Sequence, residues 1–199
     1  MSTQAKPYTT PEEYLEIERA AEYKSQYYQG EMFAMAGASE PHNMLALNVM
    51  GEIRQQLRSR QCRAYGSDMR VRVSGTGLYT YPDGVVVCGQ PQFTDDHVDT
   101  LLNPDLIVEV LSPSTESYDR GRKFEQYRSI ESLTGYLLVA SDRMHVDLYS
   151  RQAGGRWLLT DASLAEETIE LPAIDCALKL ADLYEKVDLP DQASLRSQM

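Results

Sequence analysis

A glutamate lies inside the apolar run Leu106-Ile107-Val108-Glu109-Val110-Leu111. Continuous runs of this kind belong to strands covered on both faces. A carboxylate on such a strand loses its hydration, at a cost on the order of several kcal/mol. Either a cation compensates it or it takes up a proton. Asp83 poses the same question at the head of Asp83-Gly84-Val85-Val86-Val87, after Tyr81-Pro82. Two neighbouring buried strands that each offer one acid to the same end of a sheet make a hard oxygen site, the kind that suits Mg²⁺ or Mn²⁺. Asp105, after Pro104, shares the strand parity of Glu109. It lies about 13 Å away at strand rise, too far to share an ion, and is expected to cap the strand entrance. Lys123 is the third group. In the helix predicted around Ser117 to Ser129 it shares a face at i,i+4 with both Asp119 and Tyr127. Each residue taken alone has a plainer reading: Asp83 as a turn residue after proline, Glu109 on an edge strand facing water, Lys123 on a solvated basic helix.

Other elements must position these groups. Thr10-Pro11-Glu12-Glu13 predicts a capped helix start, with Thr10 as N-cap and Glu13 closing a capping box. Tyr23–Tyr28 and Glu31–Ala36 read as strands around a Gln29-Gly30 hairpin turn. Ser39 caps a long helix to about Arg60, with Leu45, Val49, Ile53 and Leu57 on one apolar face. Met69, Val71 and Val73 alternate with Arg70, Arg72 and Ser74, which predicts a half-exposed strand. Further strands are expected at 85–88, 106–111, 136–140, 145–149 and 157–160, and a short helix at 178–187. His145 and Asp147 alternate on the fourth of these and are expected to face solvent. The order predicts an α/β fold with a mixed central sheet flanked by helices, an N-terminal helix and a hairpin. One domain is expected over residues 1–187, with a flexible polar tail at 188–199.

The chain has 199 residues, 42% apolar and 25% charged, which is ordinary usage for one globular domain. No apolar run approaches the roughly 18 residues of a membrane span. Met1 to Pro7 holds no apolar signal core, so a cytoplasmic location is expected. Cys62, Cys88 and Cys176 are widely spaced with no CxxC pair, so three reduced thiols are expected. His42, His97 and His145 lack zinc-ligand spacing, and neither a phosphate-cradling glycine loop nor a G-x-S-x-G elbow occurs. The net charge of −11 argues against binding duplex nucleic acid by bulk attraction. The distribution is uneven, however. Residues 51–72 hold six arginines against Glu52 and Asp68, and residues 73–119 hold no Lys or Arg at all.

Pro82-Asp83, the string Pro104-Asp105-Leu106-Ile107-Val108-Glu109-Val110-Leu111-Ser112-Pro113-Ser114-Thr115, and then Asp119, Lys123 and Tyr127 resemble the Uma-two-type restriction endonuclease family of the PD-(D/E)XK nuclease superfamily. Gly30-Glu31, Ala36-Gly37 and His42 extend the likeness, which spans about residues 8–150. The resemblance implies a restriction-endonuclease-like fold and divalent-metal-dependent hydrolysis of phosphodiester bonds in DNA, with RNA the other candidate substrate. It implies that Asp83 and Glu109 hold Mg²⁺ or Mn²⁺, with the main-chain carbonyl of Val110 as a third ligand. It also implies that Lys123 orients the attacking water or offsets phosphate charge. Glu31, His42 and Tyr127 match accessory positions; His42 can equally be read as a helix-start residue that bonds locally. The superfamily name places a lysine two residues after the acid. Here that residue is Leu111, so Lys123 must reach in from the next helix. DNA would approach through Arg54, Arg58, Arg70 and Arg72, or through Arg120 and Arg122. A homodimer is expected by analogy, since two strands are cut most simply by two sites. The alternative is a nuclease-like module that binds nucleic acid, or regulates, without turnover.

Overall fold

A computed structural model of the chain describes residues 8–190. Most of the tail expected at 188–199, from residue 191 on, lies outside the described residues. The first helix, α1 (Pro11–Ala20), begins at Thr10, whose side chain and that of Glu13 cap each other's backbone N–H groups. The hairpin follows as β1 (Ser25–Tyr28) and β2 (Glu31–Ala34). Gln29 and Gly30 both have positive φ at its turn, as a two-residue primed turn requires. Then come α2 (Glu40–Gln56), which ends in a 3₁₀ turn at Leu57–Ser59, β3 (Cys62–Gly66), β4 (Arg70–Val73), β5 (Leu78–Thr80), β6 (Gly84–Cys88), β7 (Thr100–Leu101) and β8 (Leu106–Leu111). The predicted helix at 117–129 is built from α3 (Glu116–Tyr118), a π turn (Asp119–Lys123) and α4 (Phe124–Tyr127). The chain closes with β9 (Gly135–Ala140), β10 (Val146–Arg151), β11 (Trp157–Ala162), β12 (Thr168–Leu171), β13 (Cys176–Lys179) and α5 (Leu180–Leu183). The helix expected at 178–187 is therefore mostly strand and turn, with one helical turn.

A six-stranded mixed sheet, order β11-β10-β9-β8-β6-β3, carries the core; β8 and β9 are parallel and the other neighbours antiparallel. Strand alternation sorts its side chains onto two faces. Val86, Leu106, Val108 and Val110 pack against Leu45, Val49 and Ile53 of α2. Val85, Val87, Ile107 and Leu111 pack with Tyr127, Ile130 and Leu133 on the other side. Gly84 lets α2 come close: a Cβ there would collide with the Met50 side chain. A five-stranded sheet, order β2-β1-β5-β4-β7, holds the hairpin, and α1 is pinned on it through stacked Tyr14 and Tyr27. No helix among the described residues is long and apolar enough to cross a membrane.

Three expectations are corrected. Cys62 and Cys88 form a disulfide, because β3 and β6 pair with these two residues directly opposite. Only Cys176 is a free thiol, and it is buried. Arg70 does not face water: it is 2% exposed, donates to Thr100 Oγ1 and Tyr81 OH at 2.9 and 2.7 Å, and pairs with Asp99 at 3.0 Å. Asp147 is also buried, 2.6 Å from Arg120 and 3.2 Å from His145. Tyr14 of α1 and Tyr81 lie against the Arg70 guanidinium, and Arg120 of the segment at 116–123 covers Asp147. Alternation along one strand does not reveal such cover.

Candidate active site

Because β6 runs antiparallel to β8 with Gly84 opposite Val108, the preceding Asp83 arrives abreast of Glu109. Its Oδ2 accepts the Val110 N–H at 2.8 Å, so the carboxylate extends the ladder where the backbone pairing ends. Its Oδ1 lies 2.9 Å from His42 Nε2. His42 belongs to the first turn of α2, and the close approach permitted at Gly84 brings it to the acid. The imidazole is thus engaged across 41 residues of sequence, which replaces the local role considered for it.

Glu109 has the parity of Ile107 and Leu111, so it points away from α2 and toward the helical segment 116–127. It is 4% exposed. Its Oε1 receives both Lys123 Nζ at 2.7 Å and Tyr127 OH at 2.9 Å. Lys123 also reaches Asp119 Oδ1 at 3.3 Å. The π turn that contains Asp119 and Lys123 is a rare local geometry, frequent at functional sites. Tyr136 OH donates to the Asp119 carbonyl at 3.1 Å and ties this turn to β9.

The cluster therefore holds three carboxylates, Asp83, Glu109 and Asp119, against one ammonium. Burial pushes the Glu109 carboxyl up to about 8; Asp119 and Asp83 add to the shift and Lys123 opposes it. Burial also works against the charge on Lys123, but Glu109 and Asp119 outweigh it and hold its pKa above the ordinary lysine value. Tyr127 is raised well above the usual phenol range by burial and then by Glu109. With all three acids ionised the cluster carries more negative than positive charge and offers hard oxygen atoms, a donor set that fits a dication. Among the described residues no group of three or more His, Cys, Asp or Glu side chains is arranged as a metal cage. An ion here would rest on two carboxylates, backbone oxygen and water, which is the usual manner of Mg²⁺. These groups open onto a cleft of about 1420 Å³ whose walls include His42, Asp83, Glu109, Val110, Asp119 and Lys123.

Of the residues singled out from sequence, the structure brings together Asp83, Glu109, Lys123, Tyr127 and His42. Glu31 is exposed at the start of β2 and is not among the residues that line the cleft. Asp105 caps as expected, accepting the Cys88 N–H at 2.7 Å. Asp119 was not among the expected site residues. Its signal in the sequence was the i,i+4 spacing to Lys123. Arg120 is taken up by Glu116 and Asp147, whereas Arg122 is exposed on the cleft wall.

The architecture is that of a mixed α/β nuclease-type fold. It superposes with a TM-score of 0.71 on a crystal structure from Anabaena variabilis, described as "a putative nuclease belonging to DUF820". The two are 18% identical, and the match covers 87% of this chain and 96% of that one. The family profile Uma2, described as "Putative restriction endonuclease", matches residues 11–181, and the chain belongs to that family. It is 39% identical over 152 residues to the uncharacterized protein sll1609 of Synechocystis sp., covering 76% of this chain and 86% of that protein. It is 35% identical over 178 residues to the uncharacterized protein slr1290 of the same organism, covering 89% and 92%.

Proposed function

We propose that this chain hydrolyses phosphodiester bonds in DNA with the help of Mg²⁺ or Mn²⁺. The observation that carries the reading is the surplus of carboxylate in the cleft, where Asp83 and Glu109 lie side by side and Lys123 is the ammonium paired with Glu109. Asp83 and Glu109 would hold the ion, with the Val110 carbonyl as a third oxygen. A dication bound there polarises the phosphate and lowers the pKa of a water molecule.

The protein's own groups supply the rest. The Val110 N–H and His42 fix the two oxygens of Asp83. Tyr127 fixes the rotamer of Glu109. Asp119 holds Lys123 at the cleft floor, where its ammonium offsets charge that builds on the phosphate oxygens. Water adds to phosphorus, the bond to the leaving oxygen breaks, and a proton is released. A homodimer would place two such clefts on the two strands of a duplex.

The test is nicking of supercoiled plasmid with Mg²⁺, with Mn²⁺ and with EDTA. Cleavage is expected with either metal, none with EDTA, and a loss of at least 100-fold in Asp83→Ala and Glu109→Gln. Cleavage that survives EDTA or both substitutions refutes the proposal. A second reading, a nucleic-acid-binding module without turnover, is favoured by one feature: Lys123 is already held in a buried ion pair. Binding of DNA that ignores both chelator and Asp83→Ala, with no cleavage, would establish it.

A further inference from the structure

The cleft poses a problem for a polyanionic substrate. Glu18, Glu22, Asp68, Asp83, Glu109 and Asp119 line it, against Lys24, Arg122 and Lys123. Lys24 is moreover paired with Asp68 at 2.7 Å. A net-negative cleft gives a phosphate backbone little attraction, so affinity has to come from elsewhere on the surface.

A different face offers it. Arg54 and Arg58 at the C-terminal end of α2 and Arg63 on β3 are all exposed. They line a shallow depression of about 480 Å³ that also includes Arg60 and Tyr65, with no carboxylate among its lining residues. Arg60 is committed to structure, pairing with Asp175 at 3.0 Å and donating to the Ile174 carbonyl at 2.8 Å. Arg54, Arg58 and Arg63 take part in no ion pair among the described residues. In a chain of net charge −11, three uncompensated arginines on one face are a local reversal of sign.

The patch is joined to the cleft by a single edge strand. β3 is the outermost strand of the six-stranded sheet. It begins at Cys62 in the patch and ends at Gly66, opposite Gly84 and so beside Asp83. Ser67 and Asp68, the next two residues, line the cleft. The Cys62–Cys88 disulfide fastens the patch end of β3 to β6. From Cys62 to Ser67 the chain covers about 17 Å at strand rise. One strand of B-DNA places a charge about every 3.4 Å, so about five phosphates span the same distance.

We infer that Arg54, Arg58 and Arg63 form a docking surface for the phosphate backbone of DNA, which runs along the edge of β3 between this patch and the cleft. The inference rests on the phosphodiesterase reading for its choice of polyanion. Its test separates the two. The full-length Arg54→Ala/Arg58→Ala/Arg63→Ala variant is compared with wild type in two assays. One is fluorescence anisotropy with a labelled 24-base-pair DNA duplex in EDTA between 50 and 200 mM salt. The other is Mn²⁺-dependent hydrolysis of bis(p-nitrophenyl) phosphate, a diester too small to reach the patch. The triple variant should bind the duplex at least 10-fold more weakly at 50 mM salt. The slope of log affinity against log salt should fall by about 2–3, since each lost phosphate contact removes about 0.9. Hydrolysis of the small diester should be unchanged. The exposed pair Arg128→Ala/Arg156→Ala, away from the patch, should leave binding and slope unaltered. Equal affinity and slope in wild type and triple variant would overturn the inference, as would a wild type that binds no duplex at 50 mM salt. If wild type leaves the small diester intact while the triple variant still loses duplex binding, the phosphodiesterase reading fails and the docking surface stands.

Discussion

Lys123→Met isolates the charge that balances the buried acids. Methionine keeps much of the lysine stem's volume, so packing under the π turn is little disturbed, while the ammonium that lies 2.7 Å from Glu109 and 3.3 Å from Asp119 is removed. Removing one partner of a buried pair costs about 3–5 kcal/mol, because the remaining charge is left uncompensated in a low-dielectric site. For a chain of this size that corresponds to a fall in Tm of about 6–20 °C, at about 2–4 °C per kcal/mol. The cost must depend on pH. Burial already pushes the Glu109 carboxyl up to about 8, and the loss of Lys123 removes the group that opposes that shift. A carboxyl whose folded pKa is raised binds its proton more tightly in the folded state. Its contribution to stability is therefore complete below the unfolded value near 4.3 and is lost as pH rises through the folded value. The gap between wild type and Lys123→Met should be smallest at pH 5, where Glu109 in the variant is neutral and Asp119 alone has lost its partner, and should widen through pH 7 to pH 9. The double variant Lys123→Met/Glu109→Gln removes both charges of the closer pair, leaving Asp119, and should recover at least half of the loss at pH 9, since an uncharged pair needs no compensation. Urea denaturation of the three proteins at pH 5, 7 and 9 measures this. A Lys123→Met cost below about 1 kcal/mol at pH 9, or one that does not change with pH, would refute the electrostatic account of the site.

Two further outcomes are expected elsewhere in the fold. Arg19 beside Asp99, with Arg70 adding, holds the Asp99 carboxyl well below the usual carboxylate range, and Arg19 likewise lowers Asp95. A depressed folded pKa gives stability that is present above the unfolded value near 3.9 and lost as pH falls below it. Thermal melts should therefore show wild type losing stability below about pH 4 more steeply than Asp99→Asn; parallel curves would remove the assignment. Reduction of Cys62–Cys88, a crosslink with a sequence separation of 26, should lower stability by about 2–4 kcal/mol, read as a shift in urea midpoint with and without dithiothreitol. An unchanged midpoint would show that the bond is absent or without effect on the unfolded chain.

What was legible in the sequence follows from which signals are local. The capping box at Thr10 and Glu13, the Gln29-Gly30 turn and the apolar face Leu45, Val49, Ile53 and Leu57 each lie within a few residues, and all are present. Glu109 was legible for a different reason: a charge within a run of doubly covered strand is an anomaly whatever the topology. The Cys62–Cys88 bond was not legible, because its separation is set by the pairing of β3 with β6 and matches no motif spacing. Arg70 and Asp147 were misread because alternation separates two faces of a strand but does not say that either face is wet. β12 and β13 were missed as well. They form a separate two-stranded ladder whose outward residues, such as Glu170 and Lys179, interrupt a short pattern.

That leucine and not lysine stands two residues beyond Glu109 has a physical cause in the same alternation. Leu111, two residues beyond Glu109, shares its parity and is 2% exposed within the second core. An ammonium at 111 would stand about 7 Å along the strand from Glu109, surrounded by apolar side chains. Covering the sheet with the segment 116–127 makes that position suitable for leucine and unsuitable for a charge. The same segment is what returns a lysine to the acid: the π turn places Lys123 over Glu109 on a long stem, with Asp119 and Tyr127 one turn away on either side to fix it. The strand position and the helix position are thus alternative ways to bring one ammonium to one buried carboxylate. A chain that buries position 111 must use the second. Restoring a lysine at 111 should then fail to rescue Lys123→Met in either stability or cleavage, because the new ammonium would be buried without the oxygen partners that Asp119 and Glu109 provide at the present site.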